Sequence, residues 1–97
     1  MTVVENTDQR SLTGNPKHVD RLDISPADDG YIIYQPDQDR VHYLNATAVL
    51  ILELANGTNS ADEIVELVKQ AYSLEDSPGQ MVHEALKQLK SEGLLVE

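Results

Sequence analysis

Apolar residues along this chain change their spacing near residue 45, which divides it into a β part and a helical part. Before that point, the runs Tyr31–Tyr34 and Val41–Leu44 are short and rich in β-forming residues, which predicts two strands. The polar link between them contains Pro36 and predicts a hairpin turn. A second turn is predicted at residues 28–30, and residues 19–24 are the candidate for a third strand.

From Asn45 onward the apolar period becomes 3.6 residues, which predicts helices. Asn45 is a favourable N-cap because its side chain can accept a backbone N–H of the first turn. The first helix then extends to about Ala55 and is apolar on nearly every face. This pattern is typical of a helix buried at the centre of a domain.

Two further helices follow, each with a recognisable start. Ser60 and Glu63 have the spacing of a capping box at the start of the second helix. The third helix is predicted from about Pro78 to Glu92, with Ser77 as its cap and Pro78 in its first position. A short apolar tail at residues 94–96 then needs cover from the rest of the domain.

The order of elements predicts an α+β fold, in which a small three-stranded antiparallel sheet is followed by three helices on one side. A hairpin combined with three helices is similar to a winged helix-turn-helix. Residues 1–17 are mostly polar, and we expect them to form a flexible N-terminal arm. Residues 18–97 then form the domain.

Charge narrows the range of functions. The 97 residues include 17 acidic and 7 basic ones, for a net charge of −10, which disfavours both nucleic-acid binding and a basic helix at a membrane surface. No run of 18 apolar residues exists, so no membrane span is predicted. The chain has no cysteine, which fits a cytoplasmic protein.

Residue types that carry catalysis are scarce and scattered. The three histidines, His18, His42 and His83, lack a metal-ligand spacing and are interpreted as ordinary surface or interface residues. Paired aspartates fall in predicted turns, where Asp commonly bonds to the local backbone. No phosphate-binding loop or nucleophile elbow is present. We therefore expect neither an enzyme nor a bound cofactor or metal.

Two binding roles remain from the residues alone. The open edge of the small sheet could accept an extended peptide as an added strand, with affinity supplied by main-chain hydrogen bonds. Alternatively, the protein is an acidic winged-helix transcriptional regulator or an adaptor. A regulator that contacts duplex DNA would bind it in a strongly salt-dependent manner.

An ordered set of short motifs resembles the PqqD-like family. Residues 41–57 read as a strand ending in Leu-Asn, a small-residue start to an apolar helix and an Asn-Gly stop. Residues 60–64 have the Ser-x-x-Glu-Ile helix start, and the second helix ends in Tyr72. The last helix ends with the spacing of Leu86, Leu89, Gly93 and Leu94. The resemblance covers about residues 18–97.

The resemblance implies a function in the biosynthesis of ribosomally made, modified peptides. Domains of this kind recognise the leader segment of a precursor peptide and present the precursor to a modifying enzyme. That partner is often a radical S-adenosylmethionine enzyme, and in other pathways a protease or cyclase. The domain itself is implied to carry no catalysis and no cofactor. The pathway and the oligomeric state stay open.

The resemblance also implies where the leader binds, namely as an extra strand beside the third strand and against the third helix. By position, the candidate strand residues are Arg40, Val41, His42, Tyr43 and Leu44. Alternate residues of a strand face opposite sides. Because Leu44 leads into the buried helix, Leu44 and His42 are placed on the core-facing side, and either this pair or Val41 and Tyr43 could meet the leader.

Candidates on the third helix are Val82, Leu86, Leu89, Lys87 and Lys90. The three apolar residues either line the groove or belong to the core. The two lysines are candidates for specificity, because leaders in this family are commonly acidic. They could equally be solvated surface residues.

Overall fold

The computed structural model describes residues 15–96 and has the predicted α+β architecture, a three-stranded antiparallel sheet followed by three helices. The prediction of a flexible arm, as far as it concerns residues 1–14, lies outside the described residues. The elements are the strands β1 (Asp23–Ala27), β2 (Gly30–Gln35) and β3 (Arg40–Leu44), a 3-10 turn (Pro36–Gln38), and the helices α1 (Ala46–Leu54), α2 (Ala61–Ala71) and α3 (Gly79–Ser91).

The sheet has the order β1-β2-β3, so β2 is central and the two predicted strands of the hairpin pair with each other. Ile33 of β2 is fully buried and lies opposite His42 of β3. Because residues opposite each other share a face, the buried face of β3 carries His42 and its neighbours two residues away. The other face of the sheet is turned away from the core.

The first strand differs from the prediction. It spans Asp23–Ala27 rather than residues 19–24, and all five of its residues are exposed. Pro26 lies inside this strand, opposite Tyr31 of β2. Proline is tolerated there because β1 is an edge strand, where a missing N–H that points away from the sheet removes no ladder bond.

Helix α1 is the centre of the domain, as predicted. It packs against β2, β3 and both other helices, and it contributes Val49, Ile51 and Leu52 to the buried core. The Asn45 side chain accepts the Ala48 N–H at 2.8 Å, which confirms the predicted N-cap. Since Asn45 directly follows β3, this cap turns the chain from the sheet edge into the core.

Local signals place the starts of the other two helices to within one residue. The predicted capping box at α2 is present, with the Glu63 N–H donated to Ser60 and the Ser60 N–H donated to the Glu63 carboxylate. The predicted start of α3 was wrong by one residue. Pro78 occupies the N-cap and Gly79 is the first helical residue, while the Ser77 hydroxyl accepts the Gly79 N–H at 3.2 Å.

The apolar tail is covered by the segment that precedes the sheet. Leu94 and Leu95 are buried, and Leu95 forms an antiparallel bridge with His18. The Lys17 carbonyl accepts the Val96 N–H at 2.7 Å, and Lys17 also forms a bridge with Asn56. Residues 15–17, the end of the predicted arm, are therefore hydrogen-bonded to the domain.

Candidate functional site

Strand β3 has β2 on one side and, among residues 15–96, no strand on the other. A strand at a sheet edge presents backbone N–H and C=O groups that can pair with another chain. Which residues present them depends on the register with β2, because successive residues of a strand bond alternately to the two sides.

Gly30 reveals that register. A side chain at Gly30 would collide with the carbonyl oxygen of Leu44, so this carbonyl points toward β2. By alternation, the backbone groups of His42 and Arg40 also point toward β2. The backbone N–H and C=O groups of Val41 and Tyr43 therefore point outward, along the free edge.

The opposite edge of the sheet is less suited to strand addition. Pro26 faces away from β2, because its partner Tyr31 belongs to the row of β2 residues that bond to β3. Proline has no N–H, so β1 presents an interrupted row of donors. Proline on an edge strand is one of the ways in which proteins protect a sheet from pairing with another chain. The β3 edge therefore presents the more complete row of outward backbone donors.

Side chains of β3 divide between the two faces of the sheet. His42 is 6% exposed and Leu44 is partly buried, and both lie on the side of the helices. Val41 is 51% exposed and Tyr43 is 76% exposed, on the outer face. The histidine is thus a buried residue, which corrects its interpretation as an ordinary surface or interface residue.

The outer face also carries Tyr34, which lies opposite Val41. Its hydroxyl donates a hydrogen bond to Asp39 at 3.1 Å. That hydrogen bond and the negative charge of Asp39 raise the pKa of Tyr34 above its ordinary value, with smaller effects from desolvation and Asp23. The contact joins β2 to the turn that precedes β3 and so helps to place the start of the edge strand.

A polar cluster fixes the beginning of β3 to the end of α3. Gln35 donates from Nε2 to the Gly93 carbonyl at 3.0 Å, and its Oε1 lies 3.0 Å from Nε2 of His42. The His42 Nδ1 and the Arg40 guanidinium each lie 3.5 Å from the Glu92 carboxylate. We call Gln35, Arg40, His42, Glu92 and Gly93 the clasp.

Gly93 completes the clasp through its backbone. Its φ of 82° lies in the left-handed region, where glycine carries no steric penalty, and this conformation ends α3 as predicted. The buried polar atoms of the clasp all have partners, and no orphaned buried side-chain atom occurs among the described residues. These contacts therefore fix the distance between β3 and α3 at the Arg40 end of the strand.

We predict that Gln35→Leu lowers the free energy of unfolding by about 1–3 kcal/mol, because it leaves the His42 Nε2 and the Gly93 carbonyl without their buried partner. Urea denaturation followed by circular dichroism measures this loss. Gln38→Leu is the matched control, because Gln38 is exposed in the turn and should change stability by less than about 0.5 kcal/mol. Equal losses for the two variants would contradict a stabilising role for the clasp.

An open groove lies beyond the other end of β3, between the start of α1 and one face of α3. It has a volume of about 470 Å³ and begins at Asn45, immediately after the edge strand. Its lining residues are Asn45, Thr47, Ala48, Ile51, Met81, Glu84, Ala85 and Gln88. An extended chain that paired with β3 and continued past Leu44 would reach this groove.

Comparison with known proteins decides the family. The family model described as Coenzyme PQQ synthesis protein D (PqqD) matches residues 30–95, from the start of β2 to the buried tail. The chain belongs to the PqqD family. Among curated proteins and among solved structures, nothing matches the chain.

Membership of the PqqD family implies a recognition role in the synthesis of ribosomally made, modified peptides. Proteins of this family are non-catalytic accessory binding proteins, which agrees with the prediction that the chain is not an enzyme. The match includes β3, α1 and α3, so both the free edge and the groove belong to the shared part of the domain.

The predicted α3 residues occupy two different environments in this PqqD domain. Val82, Leu86 and Leu89 are buried in the core and do not line the groove. Lys87 and Lys90 are exposed and are not among the residues that line the groove. That the lysines contact a leader stays a prediction.

Sequence reasoning missed the α3 residues that do line the groove. Met81, Ala85 and Gln88 follow the i, i+4, i+7 spacing of one helix face, next to the face that enters the core. Met81 continues the apolar pattern of Val82, Leu86 and Leu89 along α3, which predicts a place in the core, yet the residue is 42% exposed. A large apolar residue at the border of a core stripe is the signal that could have indicated the groove.

Neither a metal-binding cluster nor a membrane-spanning helix occurs in the described residues 15–96. Across residues 15–96, no group of three or more His, Asp or Glu side chains is arranged to hold a metal ion. Of the helices in this range, none has the length and apolar character needed to cross a membrane. His83 is exposed on α3, and His18 pairs through Nδ1 with the Val19 carbonyl at 2.8 Å.

Proposed function

We propose that this domain is a peptide chaperone that binds the leader segment of a ribosomally made precursor peptide. The leader adds to β3 as a fourth strand and is held between the sheet edge and α3. The observation that carries the proposal is the free edge, at which Val41 and Tyr43 direct their backbone groups outward. Main-chain pairing at an exposed edge is an established way to bind an extended peptide.

The two ends of the binding site have different tasks in this proposal. At the Arg40 end, the clasp holds β3 and α3 together and keeps the edge strand in place. At the Leu44 end, the groove is open and accepts side chains of the leader. Because the edge and the groove are preformed, the domain loses little conformational freedom on binding. The cost of ordering then falls mainly on the flexible leader.

The bound precursor is presented to a modifying enzyme, which is a radical S-adenosylmethionine enzyme or a protease or cyclase. The domain supplies no cofactor and no catalytic group to that reaction. Its task is to raise the local concentration of the precursor at the enzyme. Because precursors are made by ribosomes, the proposal includes a cytoplasmic location.

A transcriptional regulator is the competing proposal, and charge argues against it. Helix α2 carries Asp62, Glu63 and Glu66 on exposed positions, and the chain as a whole has a net charge of −10. Such a surface repels DNA phosphates.

Fluorescence anisotropy separates the two proposals. The probe is a labelled synthetic leader from a precursor encoded beside this chain, and the comparison ligand is a labelled DNA duplex. We expect saturable leader binding that persists from about 50 to about 300 mM salt, because main-chain hydrogen bonds are less screened than phosphate contacts. Binding of the duplex that weakens steeply with salt, with no leader binding, would favour the regulator.

A further inference from the structure

We infer that the groove selects a leader with an aliphatic or aromatic side chain and a lysine or arginine within one or two residues of it. This inference rests on the proposed function and specifies the chemistry of the peptide. It differs from the acidic leader that the family resemblance implies.

The apolar part of the inference comes from the groove floor. Ala48 and Ala85 line the groove between α1 and α3 together with the partly exposed Met81, and Ile51, which also borders it, is fully buried. The small alanines leave room above the floor, and methionine adapts its shape to what it contacts. One bulky apolar side chain from the inner face of an added strand would cover this surface.

The basic part of the inference comes from the charges around the groove. Of the described residues that line it, only Glu84 is charged. Its carboxylate accepts a hydrogen bond from Gln80 at 3.3 Å, and none of the cation contacts found in residues 15–96 involves it. A lysine or arginine of the leader would be attracted to Glu84, whereas an aspartate or glutamate would be repelled.

Basic residues of the domain do not offset Glu84. Arg40 lies at the far end of the site and contacts Glu92 in the clasp. Lys87 follows Glu84 by three residues on α3 but makes no ion pair with it, and neither Lys87 nor Lys90 lines the groove. An acidic leader side chain that entered the groove would therefore meet the negative charge of Glu84 and no positive charge among the described residues that line the groove.

Selection from a random library of displayed 12-residue peptides tests the inference, because it leaves the choice of sequence to the domain itself. The full chain and three variants are used in parallel. Glu84→Lys reverses the groove charge. Glu66→Lys makes the same change on α2, outside the groove lining, and controls for net charge. Val41→Pro removes the outward N–H of β3 and reports on strand addition.

The unmodified chain should enrich peptides that combine an apolar residue with a nearby lysine or arginine. Glu84→Lys should shift the enrichment toward aspartate and glutamate, and Glu66→Lys should leave it unchanged. In a synthetic peptide from the enriched set, changing the basic residue to glutamate should weaken binding by about threefold to tenfold. This range corresponds to the loss of one exposed charge contact and the gain of one repulsion.

Two failures are distinguishable. The charge inference would be overturned by enriched peptides that lose binding to Val41→Pro but show no preference for lysine or arginine. It would also be overturned if the Glu84→Lys and Glu66→Lys variants enriched peptides with the same preference. Either result would leave the proposed function standing. Enrichment that Val41→Pro does not alter would overturn the proposed function itself, because the selected peptides would not bind at the β3 edge.

Discussion

Val41→Pro is expected to weaken leader binding by at least about tenfold while the domain stays folded. Proline removes the Val41 N–H, which points along the free edge, and therefore removes a bond to the leader and none to β2. The dissociation constant measured by anisotropy gives the effect, and circular dichroism checks the fold. Loss of one main-chain bond, together with the altered backbone of the edge, accounts for the expected factor.

Val41→Ala is the matched control for this variant. It shortens the same exposed side chain but keeps the backbone N–H, so leader binding should change by less than about threefold. If the alanine variant lost as much affinity as the proline variant, the Val41 side chain on the outer face would be the contact. If neither variant lost affinity, the leader would not pair with β3.

Leu52→Ala is expected to lower the free energy of unfolding by about 2–5 kcal/mol. Leu52 is 1% exposed and lies on α1, the helix that contacts the sheet and both other helices. Removing its side chain leaves a cavity at the centre of the domain, which neighbouring elements can fill only in part. A domain of this size has a thin core, so this loss is a large share of its stability.

Denaturation in urea measures that loss, and Leu50→Ala provides the comparison. Leu50 lies on the same helix but is only partly buried against the core, so the same truncation should cost less. If the two variants lost equal stability, the packing of α1 would not be as the structure describes. If both lost well under about 1 kcal/mol, α1 would not be the central helix.

Local interactions are the part of this fold that sequence reasoning predicts well. Asn45, and the pair Ser60 and Glu63, are identifiable as helix starts because each interaction joins residues three apart in the chain. The apolar character of α1 likewise predicts its central place. These features depend on spacing along the chain, which the sequence displays directly.

Interactions between distant segments were not predicted. The Gln35–Gly93 bond joins residues 58 apart, and Arg40 contacts Glu92 across 52 residues. The first strand was misplaced because Pro26 signals a strand end locally, although the register with β2 makes it harmless at the edge. Such pairings follow from the fold as a whole.

The candidate site was likewise predicted only in part. The sequence, through its resemblance to a family, indicated the strand at residues 40–44 and the helix beside it, and the match over residues 30–95 confirms the family. It placed Leu44 and His42 toward the core, which the pairing of the buried Ile33 with His42 confirms, but it did not settle which residues of β3 meet a leader. Nor did it separate Met81 from the buried residues of α3. Apolar residues at the border of the buried helix face recur with the same spacing as those within it.

The most direct test of strand addition is nuclear magnetic resonance of the isotope-labelled domain with the synthetic leader. We expect the largest amide shifts at residues 40–45 and 81–88, and cross-strand contacts between the leader backbone and Val41 and Tyr43. Contacts of the leader backbone with those two residues, and not with β1, would support the account. Saturable binding with shifts confined to β1 or α2, and no contact to the β3 edge, would contradict it.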